Sequence, residues 1–186
     1  MRAEMGGPRS LAGDNRLIAR LVTQGVSAAI TTPRLELRSL VAADAGALQA
    51  VTDHPAVTTM VSFLPTPFTI GAATALIDRM AAGRDLFLGI WCQTARDLVG
   101  VVGLHERDSA IEIGYWIGER HQGQGFATEA GHAVLERLTM DGGGSPIVAR
   151  CRPDHRASRR VLEKLGFAAT ERPARQTGLM LFERAR

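Results

Sequence analysis

The part of this sequence richest in potential chemistry runs from Ile111 to Ala130. An apolar segment with a single carboxylate, Ile111-Glu112-Ile113-Gly114-Tyr115-Trp116-Ile117, leads to Gln122-Gly123-Gln124-Gly125 and then to a helical pattern opening at Phe126-Ala127-Thr128. It reads as strand, glycine-rich turn, helix. Glycines at 123 and 125 let backbone N–H groups approach a ligand with no side chain in the way, and the helix start adds unpaired amides and the positive end of its dipole. Such a turn can cradle phosphate, whereas two glycines taken alone would favour an ordinary tight turn. The order matches neither the dinucleotide fingerprint, with three glycines in a βαβ unit, nor the P-loop, which ends in Gly-Lys-Ser/Thr.

A second concentration of chemistry lies further on. Arg150, Arg152, Arg156, Arg159, Arg160 and Lys164 gather in one short stretch of a chain whose net charge is only +3. This fits a local anion site or a charged helix face. Nucleic acid is not expected, because the stretch has no interleaved aromatics and no known docking motif. Glu129 and His132, three apart on a helix, could form half of a metal site, but no second half appears, so a solvated surface pair and no metal are expected.

Elements that position these residues can be read from periodicity. The pattern from Arg34 to Leu40 alternates polar and apolar, which is the signature of a half-buried strand. A helix over Ala45 to Val51 is stopped by Asp53-His54-Pro55, and a second runs from Thr69 to Ala82. Leu86 to Trp91 and Leu98 to Leu104 form an antiparallel hairpin across Gln93 to Asp97, and Ile111 to Ile117 extends it to a meander. A helix from Phe126 ends at Asp141-Gly142-Gly143-Gly144. A strand over Ile147 to Cys151, a helix over Ala157 to Leu165 closed by Gly166, and a strand over Leu179 to Phe182 complete an α/β (α+β) fold.

Composition sets the frame. A chain of 186 residues that is 45% hydrophobic can bury one sizeable core. Residues 1–31 look like an extension with little fixed structure, and 32–186 like the domain. No apolar run approaches the roughly 20 residues of a membrane span. The first residues do not resemble a secretory signal, so a cytoplasmic location is expected. Cys92 and Cys151 fall within strand patterns and read as free thiols in a reducing compartment.

Gln122, Gly125 and Ala127, following an apolar strand, resemble the pyrophosphate-binding motif of the GNAT N-acetyltransferase superfamily. Gly114-Tyr115-Trp116-Ile117, Gly125-Phe126-Ala127-Thr128-Glu129-Ala130, Thr32-Pro33-Arg34-Leu35-Glu36-Leu37-Arg38 and the segment Ala157 to Phe167 are similar to the RimJ/RimL branch, which acetylates ribosomal-protein N-termini. The resemblance implies one domain whose mixed, mostly antiparallel sheet splays like a V between flanking helices. It implies acetyl-CoA as co-substrate, with the pantetheine arm along Tyr115, Trp116 and Ile117 and the diphosphate at Gln122, Gly123, Gln124, Gly125, Phe126, Ala127 and Thr128. Arg156, Arg159 and Arg160 are candidates for the CoA 3′-phosphate.

The implied reaction is direct attack of a neutral amine on the thioester. Glu112 is then the candidate base, or else a sheet-face carboxylate paired with an arginine. Ser158 is the candidate partner of the leaving sulfur, or else a polar residue in a helix's first turn. His155 stands where the family usually has asparagine near CoA, and Leu162 where many members carry a tyrosine acid. The acceptor is a protein N-terminus or a small-molecule amine, and a homodimer is left open. The contrasting expectation, supported by His155 and Leu162, is a CoA-binding module without activity.

Overall fold

A computed structural model of the chain describes residue 18 and residues 29–107, 110–140, 145–173 and 178–185. The strands are β1 (Ile30–Thr31), β2 (Leu35–Ser39), β3 (Asp85–Cys92), β4 (Leu98–Arg107), β5 (Ala110–Ile117), β6 (Ile147–Cys151), β7 (Phe167–Pro173) and β8 (Met180–Arg184). The helices are α1 (Ala45–Thr52), α2 (Pro55–Thr58), α3 (Ile70–Asp78), α4 (Phe126–Met140) and α5 (Arg156–Lys164).

The eight strands form one sheet in the order β1-β2-β3-β4-β5-β6-β8-β7. Every pairing is antiparallel except β5 with β6, which is parallel and covers only Ile111 with Ile147 and Glu112 with Val148. Beyond Glu112 the two strands part. That is the expected V, and it leaves the end of β5 from Ile113 to Ile117 without a ladder partner on its β6 side.

Period-two alternation divides the apolar residues between two cores. On one face Leu35, Leu37, Val102, Leu104 and Ile113 pack with Val134, Leu135 and Leu138 of α4 and Leu162 of α5. On the other, Phe87, Val101 and Trp116 pack with Leu48 and Val51 of α1 and Leu76 and Ile77 of α3. Each such side chain, fully buried, contributes about 2 kcal/mol. α3 begins at a real cap: the Thr69 hydroxyl accepts the amide of Ala72 at 3.2 Å.

Several expectations shift. The helix foreseen from Thr69 to Ala82 is α-helical only to Asp78, and a 3-10 turn over Arg79–Ala82 finishes it. β7 and α2 were not foreseen. β7 carries Ala168, Ala169 and Pro173 in place of an alternating pattern, and its pairing with β8 is irregular between Ala169 and Pro173. The glycine stop at 141–144 lies outside the described residues. So does most of the segment read as an extension, apart from two features: Ile18 is wholly buried in the α4-side core, and Ile30–Thr31 pair with Leu37 and Glu36.

Candidate active site

Where β5 and β6 part, the sheet opens into a cleft of about 620 Å³, a size suited to a small ligand. Its walls come from both sides of the sheet. Tyr115, Cys151, His155, Ser158 and Leu162 line it toward α5, and His105, Glu112 and Phe63 toward α2 and the loop after it.

The glycine turn sits at the end of β5. Gly123 and Gly125 both have positive φ, +76° and +82°, a backbone region open to glycine and costly to other residues. The helix begins at once: the amide of Glu129 donates to the Gly125 carbonyl at 3.0 Å. The amides of Phe126, Ala127 and Thr128 precede that bond and have no carbonyl one turn back. Gln122 anchors the turn by donating Nε2 to the Ile117 carbonyl at 3.0 Å, and Gln124 Nε2 reaches the Arg120 carbonyl at 3.4 Å. Phe126 contributes only backbone here, because its ring is in the core. Exposed glycines, a helix start and no obstructing side chain give the arrangement that a diphosphate fits.

Two residues that sequence reading left out lock this turn. Arg34 donates Nη1 to the Gln124 carbonyl at 3.1 Å and Nε to Glu129 Oε2 at 2.7 Å, and its guanidinium lies 4.8 Å from the Phe126 ring centre. Thr32 donates its hydroxyl to Glu129 Oε1 at 2.5 Å. Burial pushes the Glu129 carboxyl up, but the bonds from Thr32 and Arg34 prevail and hold it below the usual range. Glu129 is therefore no surface partner of His132, as its spacing had suggested; it ties α4 to β2. Only the fold shows this, since the partners lie 95 and 97 residues away.

On the α5 side, the Tyr115 hydroxyl donates to the Ser158 carbonyl at 3.1 Å and lies 3.1 Å from Ser158 Oγ. Burial pushes the Cys151 thiol up, against smaller opposing effects of Ser158 and Arg159. His155 precedes α5 and makes no side-chain cap; burial keeps its imidazole below the usual range, hence neutral at pH 7. Trp116 differs from Tyr115: its indole is buried and donates to Thr52 Oγ1 at 2.9 Å, so only its main chain can serve a ligand on the strand edge. Ile117 likewise packs its side chain on the core. Of the arginines considered for the 3′-phosphate, Arg156 and Arg160 are exposed, while Arg159 donates to the Pro153 carbonyl at 3.4 Å.

Glu112 faces the other half of the cleft. Its Oε2 takes Arg150 Nη1 at 2.7 Å and Arg107 Nε at 3.5 Å, while neither arginine bonds Oε1. Among the described residues no group of His, Cys, Asp and Glu could hold a metal ion. None of the described helices is long and apolar enough to cross a membrane.

Residues 34–168 match the acetyltransferase (GNAT) domain family. The chain belongs to the GNAT acetyltransferase family. The ribosomal-protein-serine acetyltransferase of Escherichia coli (strain K12) is 34% identical over 74 residues, which are 38% of this chain and 41% of that protein. The uncharacterized N-acetyltransferase YoaA of Bacillus subtilis (strain 168) is 32% identical over 145 residues, 74% of this chain and 81% of that one. Among solved structures, RimL, a ribosomal L7/L12 alpha-N-protein acetyltransferase captured with coenzyme A, superposes with a TM-score of 0.71 at 20% identity, covering 84% of this GNAT chain and 97% of that one. The microcin C7 self-immunity acetyltransferase MccE, in complex with acetyl-CoA and AMP, gives 0.69 at 19% identity over 83% and 94%. The splayed sheet, the RimJ/RimL-like character and the N-acetyltransferase class drawn from the sequence all agree with these relatives.

Proposed function

We propose that this GNAT protein transfers the acetyl group of acetyl-CoA to a primary amine by direct attack of the neutral amine on the thioester. The observation that carries the proposal is the succession of two features along the chain: a β5 edge that borders the cleft and is left unpaired beyond Glu112, and a glycine turn with left-handed backbone following that strand. An extended amide-bearing arm can add main-chain hydrogen bonds to such an edge, as a peptide strand does. Tyr115, Trp116 and Ile117 would supply that edge, and Gln122 to Thr128 the diphosphate site.

In this reading the thioester lies near Ser158, whose hydroxyl can hydrogen-bond the departing sulfur, with His155 beside it as a neutral hydrogen-bonding group. Leu162, 1% exposed and in the cleft wall, offers no proton. Proton return therefore passes through Ser158 or water. The amine enters from the Phe63 and Glu112 side, where Glu112 Oε1 can hold its ammonium directly or through a water. Names of the relatives favour a protein N-terminus as acceptor, and a ribosomal-protein acceptor would place the reaction in the cytoplasm.

Incubation with deuterated acetyl-CoA and a panel of N-terminal peptides and small amines, read by mass spectrometry and by free-thiol release, tests the proposal. Labelled amide together with stoichiometric thiol is expected. Binding of acetyl-CoA with neither product across the panel would instead mark a CoA-binding module without transferase activity.

A further inference from the structure

One row of polar residues crosses three strands on the acceptor side. Asp85 at the start of β3 is the register partner of His105 on β4, and His105 is the partner of Glu112 on β5. Residues directly opposite one another share a face, so all three look to the same side, and both His105 and Glu112 line the cleft. The first two lie 20 residues apart in sequence and form no motif.

His105 is only 6% exposed. Its Nδ1 lies 2.7 Å from Asp85 Oδ1, and Asp85 Oδ2 accepts Arg79 Nη2 at 2.7 Å. Burial pushes the Asp85 carboxyl up, but the bonds from His105 and Arg79 outweigh it and hold it at about 2. An ionised carboxylate only accepts, so Nδ1 carries the hydrogen, and in the neutral ring the lone pair is then on Nε2. Edge contacts with Phe87 at 5.4 Å and Phe63 at 6.0 Å fix the ring plane.

Nε2 points along the sheet toward two glycines. A β-carbon at Gly103 would lie 2.8 Å from it, and one at Gly114 would lie 4.0 Å away. Gly114 is two residues past the last β5–β6 pair, where the cleft opens. Asp85, which holds the ring, also pairs with the Arg79 guanidinium, and Glu112, the ring's register partner, pairs with those of Arg107 and Arg150. Glu112 is engaged at Oε2 by two of these, whereas Nε2 is the basic atom with no bond to them.

We propose that His105 is the catalytic proton acceptor for the incoming ammonium, with Asp85 as the positioning residue for its ring and Glu112 Oε1 as the ammonium's anchor. This rests on the acetyltransferase function proposed above and adds the group that activates the acceptor. The ammonium N–H bond breaks and its proton moves to Nε2. The freed nitrogen lone pair attacks the thioester carbonyl carbon, the C–S bond breaks, and the CoA thiolate takes the second proton shed by the new amide nitrogen, through Ser158 or water. The imidazolium then loses its proton to solvent. Glu112 is already engaged at Oε2 by two guanidiniums, so the imidazole is the base left to take the proton.

The test is His105→Asn, whose side-chain amide can still donate to Asp85 but lacks Nε2. With an acceptor that the wild type acetylates, kcat should fall about 100-fold, the KM for acetyl-CoA should stay unchanged, and added imidazole should restore part of the rate. Asp85→Asn should lower kcat less, and Glu112→Gln should act chiefly on the KM of the amine. A folded His105→Asn protein with wild-type kcat overturns the inference and leaves the acetyltransferase function standing. A wild type that acetylates nothing in the panel removes that function and this inference with it. Ring nitrogen NMR of the wild type needs no variant to fold: a proton on Nδ1 of neutral His105 is required, and a proton on Nε2 overturns the assignment.

Discussion

Tyr115 on β5 and Ser158 in α5 meet across the open side of the sheet, the phenol donating to the Ser158 carbonyl at 3.1 Å with Ser158 Oγ also 3.1 Å away. The pair joins two elements that the splay separates, so the position of the Ser158 hydroxyl depends on β5 as well as on its own helix. Burial pushes the Tyr115 phenol above its ordinary range, against a smaller opposing effect of the Ser158 bond.

The chain has one tyrosine, so its titration can be followed alone. A raised folded value favours the protonated form in the native state, so the stability it contributes is complete below the unfolded value near 10 and is lost as pH rises through the folded value. Near-ultraviolet absorbance should show no phenolate in the native protein until the chain unfolds. Tyr115→Phe should remove this part of the alkaline loss of stability. A tyrosine that ionises reversibly near its ordinary value in folded protein would contradict the contact.

Ser158→Ala should leave acetyl-CoA affinity nearly unchanged and lower kcat about tenfold, less than loss of a full general acid because water can substitute. Steady-state kinetics with the acceptor in excess measure this. Equal loss of acetyl-CoA affinity and kcat would show that the hydroxyl binds the co-substrate and has no separate part in the chemistry.

Asp85 sets a pH dependence of opposite sign. Its carboxyl, held at about 2, contributes stability that is present above the unfolded value near 3.9 and is lost as pH falls through about 2. The contribution at neutral pH is about 2 kcal/mol. Urea unfolding of Asp85→Asn should show a deficit of about that size at pH 7, shrinking below about pH 4. A deficit constant with pH would mean that lost packing, and not the charge, is responsible.

Much of the α4-side architecture was legible because it is local. Ile111 to Ala130 shows its strand, turn and helix in consecutive residues, and the alternation of Leu35 and Leu37 fixes which face of β2 is buried. What escaped reading is non-local. Arg34 and Glu129 are 95 residues apart, and Asp85, His105 and Glu112 become a row only through the register of three strands. Helix ends escaped for another reason: Arg79 to Ala82 are good helix formers, yet Gly83 at φ +70° closes them as a 3-10 turn.

Ile18 bears on the segment before the first strand, which in the sequence looks like an extension with little fixed structure. Its side chain is wholly buried in the core. Ile18→Ala should therefore cost about 3 kcal/mol, read as a lower urea midpoint with an unchanged slope. A variant as stable as the wild type would mean that Ile18 adds nothing to the core.

If the glycine turn at the end of β5 holds acetyl-CoA, Gly125 is where its binding is most sensitive to substitution. Its φ of +82° means that alanine there strains the backbone, and a β-carbon would stand 3.6 Å from Arg34 Nη2. Gly125→Ala should thus cost about 1 kcal/mol of stability and weaken binding in part. Gly125→Asp adds a carboxylate where the diphosphate must sit, repelling it as well as obstructing it. Calorimetric titration of acetyl-CoA into folded protein decides the matter. The wild type should bind at one site, Gly125→Ala more weakly, and Gly125→Asp with no detectable heat. Wild-type affinity in folded Gly125→Asp would mean that the diphosphate is bound elsewhere.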